Sequence, residues 1–288
     1  MSALRVLVVE GNARAARERH AEAYGLTPSQ SYAAVLQEIE PAVLCDIALP
    51  ADAGANLPDA AGLESYDGVV LTGSALNIYD ATPEVTRQVE LMRSVYASGA
   101  PAFGSCWGLQ VGTVAAGGDV RRNVLGREVG FARNIAPTDA GRAHPMLAGR
   151  PAAYDAPAIH LDVVTAPPGD CTVLAANRMA GIQAAEIRVN GGRLWGVQYH
   201  PEFSLAEIAA ILDRRRQVLV DEGFCATLDD AAAYAADLKS LHADPSRRDL
   251  AWRHGLDEEV LDPVRRTAEI RNFVERRVKP EKSRRGRG

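Results

Sequence analysis

The sequence predicts an α/β protein built on a doubly wound, mostly parallel sheet, with a helical extension at its C-terminal end. Three observations carry that reading. Short β-branched runs alternate with helical stretches over roughly the first 200 residues, the pattern of a sheet covered on both faces. The segment Gly104-Ser105-Cys106-Trp107-Gly108 stands where a short strand turns abruptly into a helix. Beyond Val220 the strand signals stop and the composition becomes that of helices.

Residues 5–9 (Arg-Val-Leu-Val-Val) read as a first buried strand, because a continuous β-branched run suits a strand with no wet face. Residues 13–24 and 31–40 read as helices, followed by an apolar run at 43–49. Residues 50–64, rich in Ala, Gly, Asp and Pro, are expected to be loop. Residues 68–72 form a central strand ending in the turn Gly73-Ser74. Pro83 opens a helix to about Ser98, since its missing N–H costs nothing in a first turn. A short strand at 102–104 leads into a helix at 108–116. Residues 120–197 are strand-rich, with apolar runs at 173–176, 181–187 and 194–197. Leu205, Ile208, Ala209, Ile211 and Leu212 then recur on one face of a helix over 205–220. The expected division is a main domain over 1–220, a helical extension over 221–278 and a basic, disordered tail over 279–288. Within the extension, Leu250, Trp252, Leu256, Val260, Leu261, Val264, Ile270 and Phe273 suggest two amphipathic helices. They would pack on the main domain or meet an oligomer or other partner.

Composition excludes some roles. A formal net charge of −5 argues against a protein that coats nucleic acid, although the tail is locally basic. No stretch approaches the ~18–20 apolar residues of a membrane span, and the start of the chain lacks the pattern of a secretory leader. Cys45, Cys106, Cys171 and Cys225 show no paired spacing, so reduced thiols and a cytoplasmic setting are expected, with no disulfide framework or zinc site.

Only Cys106 has neighbours that suggest chemistry. A nucleophile on a sharp strand-to-helix turn takes unusual dihedrals, and flanking glycines relieve the crowding. The following helix aims its N-terminus at the sulfur, favouring thiolate and leaving the Trp107 N–H free to hold an oxyanion. A buried, inert cysteine in a glycine-rich turn is the plain alternative. Near the end of the strand-rich region stands Trp195-Gly196-Val197-Gln198-Tyr199-His200-Pro201-Glu202. A strand delivers His200 to its end, and Glu202, two residues on, lies on the same side of extended chain. It could hold one ring nitrogen while the other faces a thiol. Alone this is an ordinary surface turn; beside the cysteine turn it completes a Cys-His-Glu triad.

Together Gly104-Ser105-Cys106-Trp107-Gly108 with Gln110, and Gly196 to Glu202, resemble the two signatures of class I glutamine amidotransferases. The resemblance spans residues 4–220. It implies a flavodoxin-like sheet and cleavage of the glutamine side-chain amide through a γ-glutamyl thioester. It also implies triad roles for Cys106, His200 and Glu202, and an oxyanion hole from the N–H groups of Trp107 and of Ser74, the residue after Gly73. Gln110 matches a position that contacts substrate. Ile159-His160-Leu161-Asp162-Val163 is similar to the family's Ser-His-Gly-Asp segment, whose backbone holds the amino-acid moiety, with Leu161 in place of glycine and His160 read as structural.

Thr72-Gly73-Ser74-Ala75 stands where many family members carry Gly-Gly-Pro. Without a second glycine the turn is expected to be less free to adopt positive φ, which would weaken the hole. Thr-Gly-Ser looks like stand-alone members, γ-glutamyl peptidases among them. Asn77, Tyr79 and Asp80 could shape the substrate mouth or simply cap the loop before Pro83. No phosphate loop and no ATP-pyrophosphatase signature follows. The leading expectation is a stand-alone glutamine amidohydrolase and the second a γ-glutamyl peptidase, in which the leaving group is an amino acid; the substrate is glutamine or another γ-glutamyl compound, with no metal or organic cofactor called for. If ammonia is the product, a separate synthetase would be the partner; an inactive or partner-activated regulatory subunit is the third reading.

Overall fold

The computed structural model describes residues 2–286, and over them the alternating elements close into one nine-stranded sheet. The strands are β1 (Arg5–Val9), β2 (Leu44–Ala48), β3 (Gly68–Leu71), β4 (Ala102–Ser105), β5 (Asp119–Arg122), β6 (Glu128–Pro137), β7 (Tyr154–His160), β8 (Asp162–Ala166), β9 (Cys171–Ala176), β10 (Ala184–Val189) and β11 (Gly192–Val197). Their order is β2-β1-β3-β4-β11-β10-β9-β6-β7, and β5 and β8 pair as a separate ribbon. The strands β2-β1-β3-β4-β11 run parallel, which is the flavodoxin-like order. The remaining four add antiparallel pairs beyond β11.

β3 and β4 are buried at every residue, as their unbroken apolar sequences require. One face of the sheet packs Val69, Leu71 and Leu194 against Met92 and Leu109 of the helices Pro83–Ser98 and Trp107–Ala115. The other face packs Val6, Val8, Val70, Phe103 and Trp195 against Tyr32 and Leu36. Ile270, Phe273, Val274 and Val278 belong to that same core. The Phe273 ring lies 5.5 Å from Phe103 and 6.1 Å from Trp195, centroid to centroid. The helix Leu228–Ala243 meets Leu205–Arg214 through a further apolar cluster. The expected boundary near Val220 thus does not separate two hydrophobic cores.

Three local expectations are corrected. The 50–64 loop ends in the short helix Ala60–Glu64, because the Asp59 carboxylate accepts from the Gly62 N–H at 2.7 Å and starts a turn. The 205–220 helix breaks at Arg215 into Leu205–Arg214 and Arg216–Asp221. The tail expected to be disordered forms the helix Lys279–Arg284. Lys282 of this helix is buried, its Nζ 3.2 Å from Asp67 Oδ2 and donating to the Ser2 and Ala3 carbonyls. Residues 287 and 288 of that tail lie outside the described residues. Among the described residues no helix is long and apolar enough to cross a membrane.

Candidate active site

The C-terminal ends of β1, β3, β4 and β11 converge, which is where open α/β sheets bind ligands. Between β4 and the helix Trp107–Ala115 stands Cys106, with φ +50° and ψ −97°. A side chain other than glycine adopts such a conformation only when its surroundings over-determine it. Here the Cys106 N–H donates to the Val197 carbonyl of β11 at 2.7 Å, and the helix begins at the next residue. The flanking glycines are needed for close approach. A Cβ on Gly104 would sit 2.5 Å from the Gly108 carbonyl carbon, and one on Gly108 2.8 Å from Leu71 Cβ. The Trp107 indole N–H donates to Gln88 Oε1 at 2.7 Å, and Gln88 Nε2 donates to the Gly11 carbonyl at 3.1 Å, tying the turn to its neighbours.

His200 follows β11 and is anchored by its N–H on the Pro157 carbonyl at 2.7 Å. Its Nδ1 lies 2.8 Å from Glu202 Oε1, with both side chains buried. Phe203 stacks flat on the ring, 3.9 Å between centroids and 4° between planes. Glu202 does not reach His200 as a same-side neighbour on extended chain. Residues 201 and 202 turn, the Phe203 N–H closes back on the His200 carbonyl at 3.2 Å, and the carboxylate comes round from below. Burial pulls the imidazole toward neutral, but the Glu202 carboxylate and then Cys106 outweigh it and push its pKa up to about 10. Cys106 and Glu202 thus both act on the His200 ring.

The Gly73-Ser74 loop closes over this group. A Cβ on Gly73 would lie 2.4 Å from His200 Cε1, so only glycine lets the ring in. Neither Gly73 nor Ser74 has positive φ. The loop is pinned from β1: the Ala75 N–H donates to Asn12 Oδ1 at 3.0 Å and the Gly11 N–H to Thr72 Oγ1 at 2.9 Å. Among the described residues no protein group accepts the Ser74 or Trp107 N–H, the second being a first-turn donor.

Of the expected substrate contacts, Gly73 lies against His200, while Gln110 and Leu161 are held by other partners. Gln110 is buried and donates to the Asp162 carbonyl at 3.1 Å and to Gln198 Oε1 at 3.4 Å. Leu161 links β7 to β8, its carbonyl taken by the Asn123 N–H at 2.8 Å. His160 pairs with Glu128 at 2.8 Å in a buried network that also holds Gln183. Tyr79 donates to Asp162 Oδ1 at 3.1 Å, while Asn77 bonds Asp80. A cleft of about 590 Å³ opens above Gly73, Ser74, His200 and Glu202, walled by residues of the helices Arg14–Tyr24 and Leu205–Arg214. Asn12, Phe203 and the cleft's arginines were not singled out from sequence; only Asn12 had a signal, its place just past the C-terminal end of β1.

The glutamine amidotransferase class-I family model matches residues 47–215. Over 287 residues the chain is 37% identical to γ-glutamyl-L-1-hydroxyisopropylamide hydrolase of Pseudomonas sp., covering 97% of this chain and 95% of that one. It is 33% identical over 168 residues to GMP synthase (glutamine-hydrolyzing) of Aeropyrum pernix, covering 58% of this chain but spanning only 28% of that relative. Among solved structures, a glutamine amidotransferase from Thermotoga maritima superposes with a TM-score of 0.66 at 18% identity, covering 97% of this chain and 100% of that one, a likeness of fold. The chain belongs to the class I glutamine amidotransferase family.

Proposed function

We propose that this chain hydrolyses the γ-glutamyl amide bond of small γ-glutamyl compounds through a thioester on Cys106. The observation that carries the reading is a cysteine strained onto a helix N-terminus against a buried imidazolium whose other nitrogen is held by Glu202. The thiolate attacks the amide carbon, forming C–S, and the Trp107 and Ser74 N–H groups take the charge that develops on oxygen. His200 gives its proton to the departing nitrogen as C–N breaks. It then takes a proton from water as the new C–O bond forms and C–S breaks, releasing glutamate. Glu202 keeps the ring oriented and charged. Gln110 and the Leu161 backbone, with Gly73, are the groups assigned to the glutamyl moiety.

Near-full-length similarity to a hydrolase named for a γ-glutamyl amide supports this reading. The shorter match to a glutamine-hydrolysing synthase supports a second, in which glutamine is the substrate and a separate synthetase takes the ammonia. Purified enzyme would be given glutamine and γ-glutamyl amides, with ammonia or free amine measured alongside Cys106→Ala. Release that depends on Cys106 is expected, and the product separates the two readings. Cleavage by Cys106→Ala at the wild-type rate would sink both, as would equal labelling of the two proteins by a glutamine-analogue electrophile. Labelling of wild type alone without turnover would point to a partner-activated subunit.

A further inference from the structure

Glu202 uses one of its two oxygens on His200. Oε1 lies 2.8 Å from His200 Nδ1, whereas Oε2, in a buried side chain, has no hydrogen-bond partner among the described residues. A carboxylate accepts at both oxygens, and leaving one unmet in the interior is costly. Two further buried oxygens, Ser105 Oγ and the Tyr32 hydroxyl, are likewise without a partner among the described residues. Each carries the donor that a carboxylate oxygen needs.

The fold puts these groups on one side of the sheet. Ser105 ends β4, and side chains alternate along a strand. Phe103, two residues earlier, packs in the core that holds Tyr32, while Gly104 faces the helix Trp107–Ala115, so Ser105 returns to the Tyr32 side. Val197, its register partner on β11, lies in the same core. Burial and then the Glu202 carboxylate raise the Tyr32 pKa well above the usual tyrosine range, which keeps the phenol a donor; Ser105 is near enough to act in the opposite sense, yet no closed hydrogen bond joins the two. The other charges facing these groups have partners. Glu207 also feels Glu202, but it accepts from Ser31 Oγ at 2.6 Å and faces His20 at 3.1 Å. Glu269 acts on Tyr32 from the far side and is bonded to Tyr199 and Arg150.

We propose that Ser105 and Tyr32 are positioning residues for His200: their hydroxyls, joined by one buried water, hold Oε2 of Glu202 and so fix the plane of the carboxylate that orients the imidazole. The inference rests on the reading of Cys106, His200 and Glu202 as the reacting group. A buried water meets about three otherwise unsatisfied polar groups, the number that converge here. Held by Oε1 alone, the carboxylate could swing about its last torsion and carry the imidazole with it; held at both oxygens, it cannot.

The test is a double-mutant cycle. Ser105→Ala and Tyr32→Phe each remove one hydroxyl and little else, and each is made in the wild-type chain and in Glu202→Gln, with thermal unfolding to confirm folding. Turnover of glutamine and of a γ-glutamyl amide is measured, and NMR of the ¹⁵N-labelled imidazole follows the exchange of the His200 Nδ1 proton with water. In the wild-type chain each substitution is expected to lower kcat by about tenfold, the low end for one hydrogen bond to a charged group, with KM within twofold and faster exchange of that proton. In Glu202→Gln the same substitutions should change kcat less than twofold, because the group they act through has gone. Unchanged kcat and unchanged exchange in both variants overturn the positioning role and leave the thioester chemistry standing. Equal losses in the two backgrounds overturn it as well, since they would come from packing alone. If wild type shows no turnover that depends on Cys106, the chemistry fails, and the His200 proton by itself decides whether the two hydroxyls hold Glu202.

Discussion

Gly73→Ala tests whether His200 is placed by the loop that faces it. The new methyl carbon would lie 2.4 Å from His200 Cε1 and 3.3 Å from Nε2. Ordinary contact begins at 3.4 Å, so the ring and the loop must separate by about 1 Å. Phe203 is stacked on the imidazole and Glu202 is bonded at 2.8 Å, so the ring has little room to retreat. If the loop yields instead, it carries the Ser74 N–H with it. Either movement misplaces a group needed in the transition state, and a shift of that size costs about 10²-fold in rate. The assay is kcat/KM on the preferred γ-glutamyl substrate, with the rate of Cys106 alkylation by iodoacetamide as a second reading of the thiolate–imidazolium pair. Gly169→Ala is the control, since a Cβ there meets nothing within 4 Å and no positive φ is involved. Activity of Gly73→Ala within twofold of wild type, with unchanged alkylation, would refute the assigned geometry.

Glu202→Gln removes the carboxylate that raises the His200 pKa while leaving the burial that lowers it, so the imidazole midpoint should fall from about 10 toward neutrality. Imidazole NMR would follow this; an unmoved midpoint would refute the pairing. The sign also sets a stability window: because the folded-state pKa is raised, the stabilisation from protonated His200 is full below its ordinary value near 6.5 and is lost as pH rises through about 10. Thermal melts of wild type across pH 6 to 10 should show that loss, and His200→Gln should lack it. Phe273→Ala should destabilise by about 3–5 kcal/mol, the usual cost of emptying a buried aromatic site, because its ring fills the sheet face between Phe103 and Trp195. Denaturant unfolding would check it, and a change under 1 kcal/mol would mean that the C-terminal segment does not close the core.

The parallel half of the sheet was readable because β1, β3 and β4 are continuous apolar runs, and the cysteine turn because Gly104 and Gly108 bracket it. β6 and β7 were not individually resolved, since their burial is interrupted along the strand and polar Glu128, Arg133 and Asn134 break the pattern. Glu128 is polar for a reason invisible in one dimension: it accepts from Asn177 and Gln183 and meets His160 in the interior. Cys106, His200 and Glu202 were legible as residue types. The turn that brings Glu202 under the ring was not, nor was the reason for Gly73, which lies in an imidazole more than a hundred residues away. Amphipathic helices beyond Val220 were legible too, but a helix's apolar stripe does not say which face it will cover.

The C-terminal segment also reaches the site. Tyr199, the residue before His200, donates its hydroxyl to Glu269 Oε1 at 3.0 Å and lies 2.8 Å from the Tyr154 hydroxyl. Glu269 is fully buried and receives Arg150 through Nε and Nη2, both at 2.7 Å, while Arg150 also meets Glu259 at 2.9 Å. The C-terminal residues thus hold the chain segment that aims the imidazole. Glu269→Ala leaves the buried Arg150 guanidinium with Glu259 as its one carboxylate and Tyr199 with Tyr154 alone. Breaking one partner of such a pair costs about 3–5 kcal/mol, which at about 2–4 °C per kcal/mol for a chain of this size lowers Tm by roughly 6–20 °C. Activity per folded molecule should fall as well, because the backbone on either side of His200 loses a fixed point. Glu269→Gln, which keeps an acceptor for Tyr199 but not the charge, should lose stability and retain more of the activity. If both variants lose stability alike yet keep wild-type kcat/KM below their melting points, the C-terminal helices serve the core alone and His200 is positioned by the Pro157 carbonyl and Phe203.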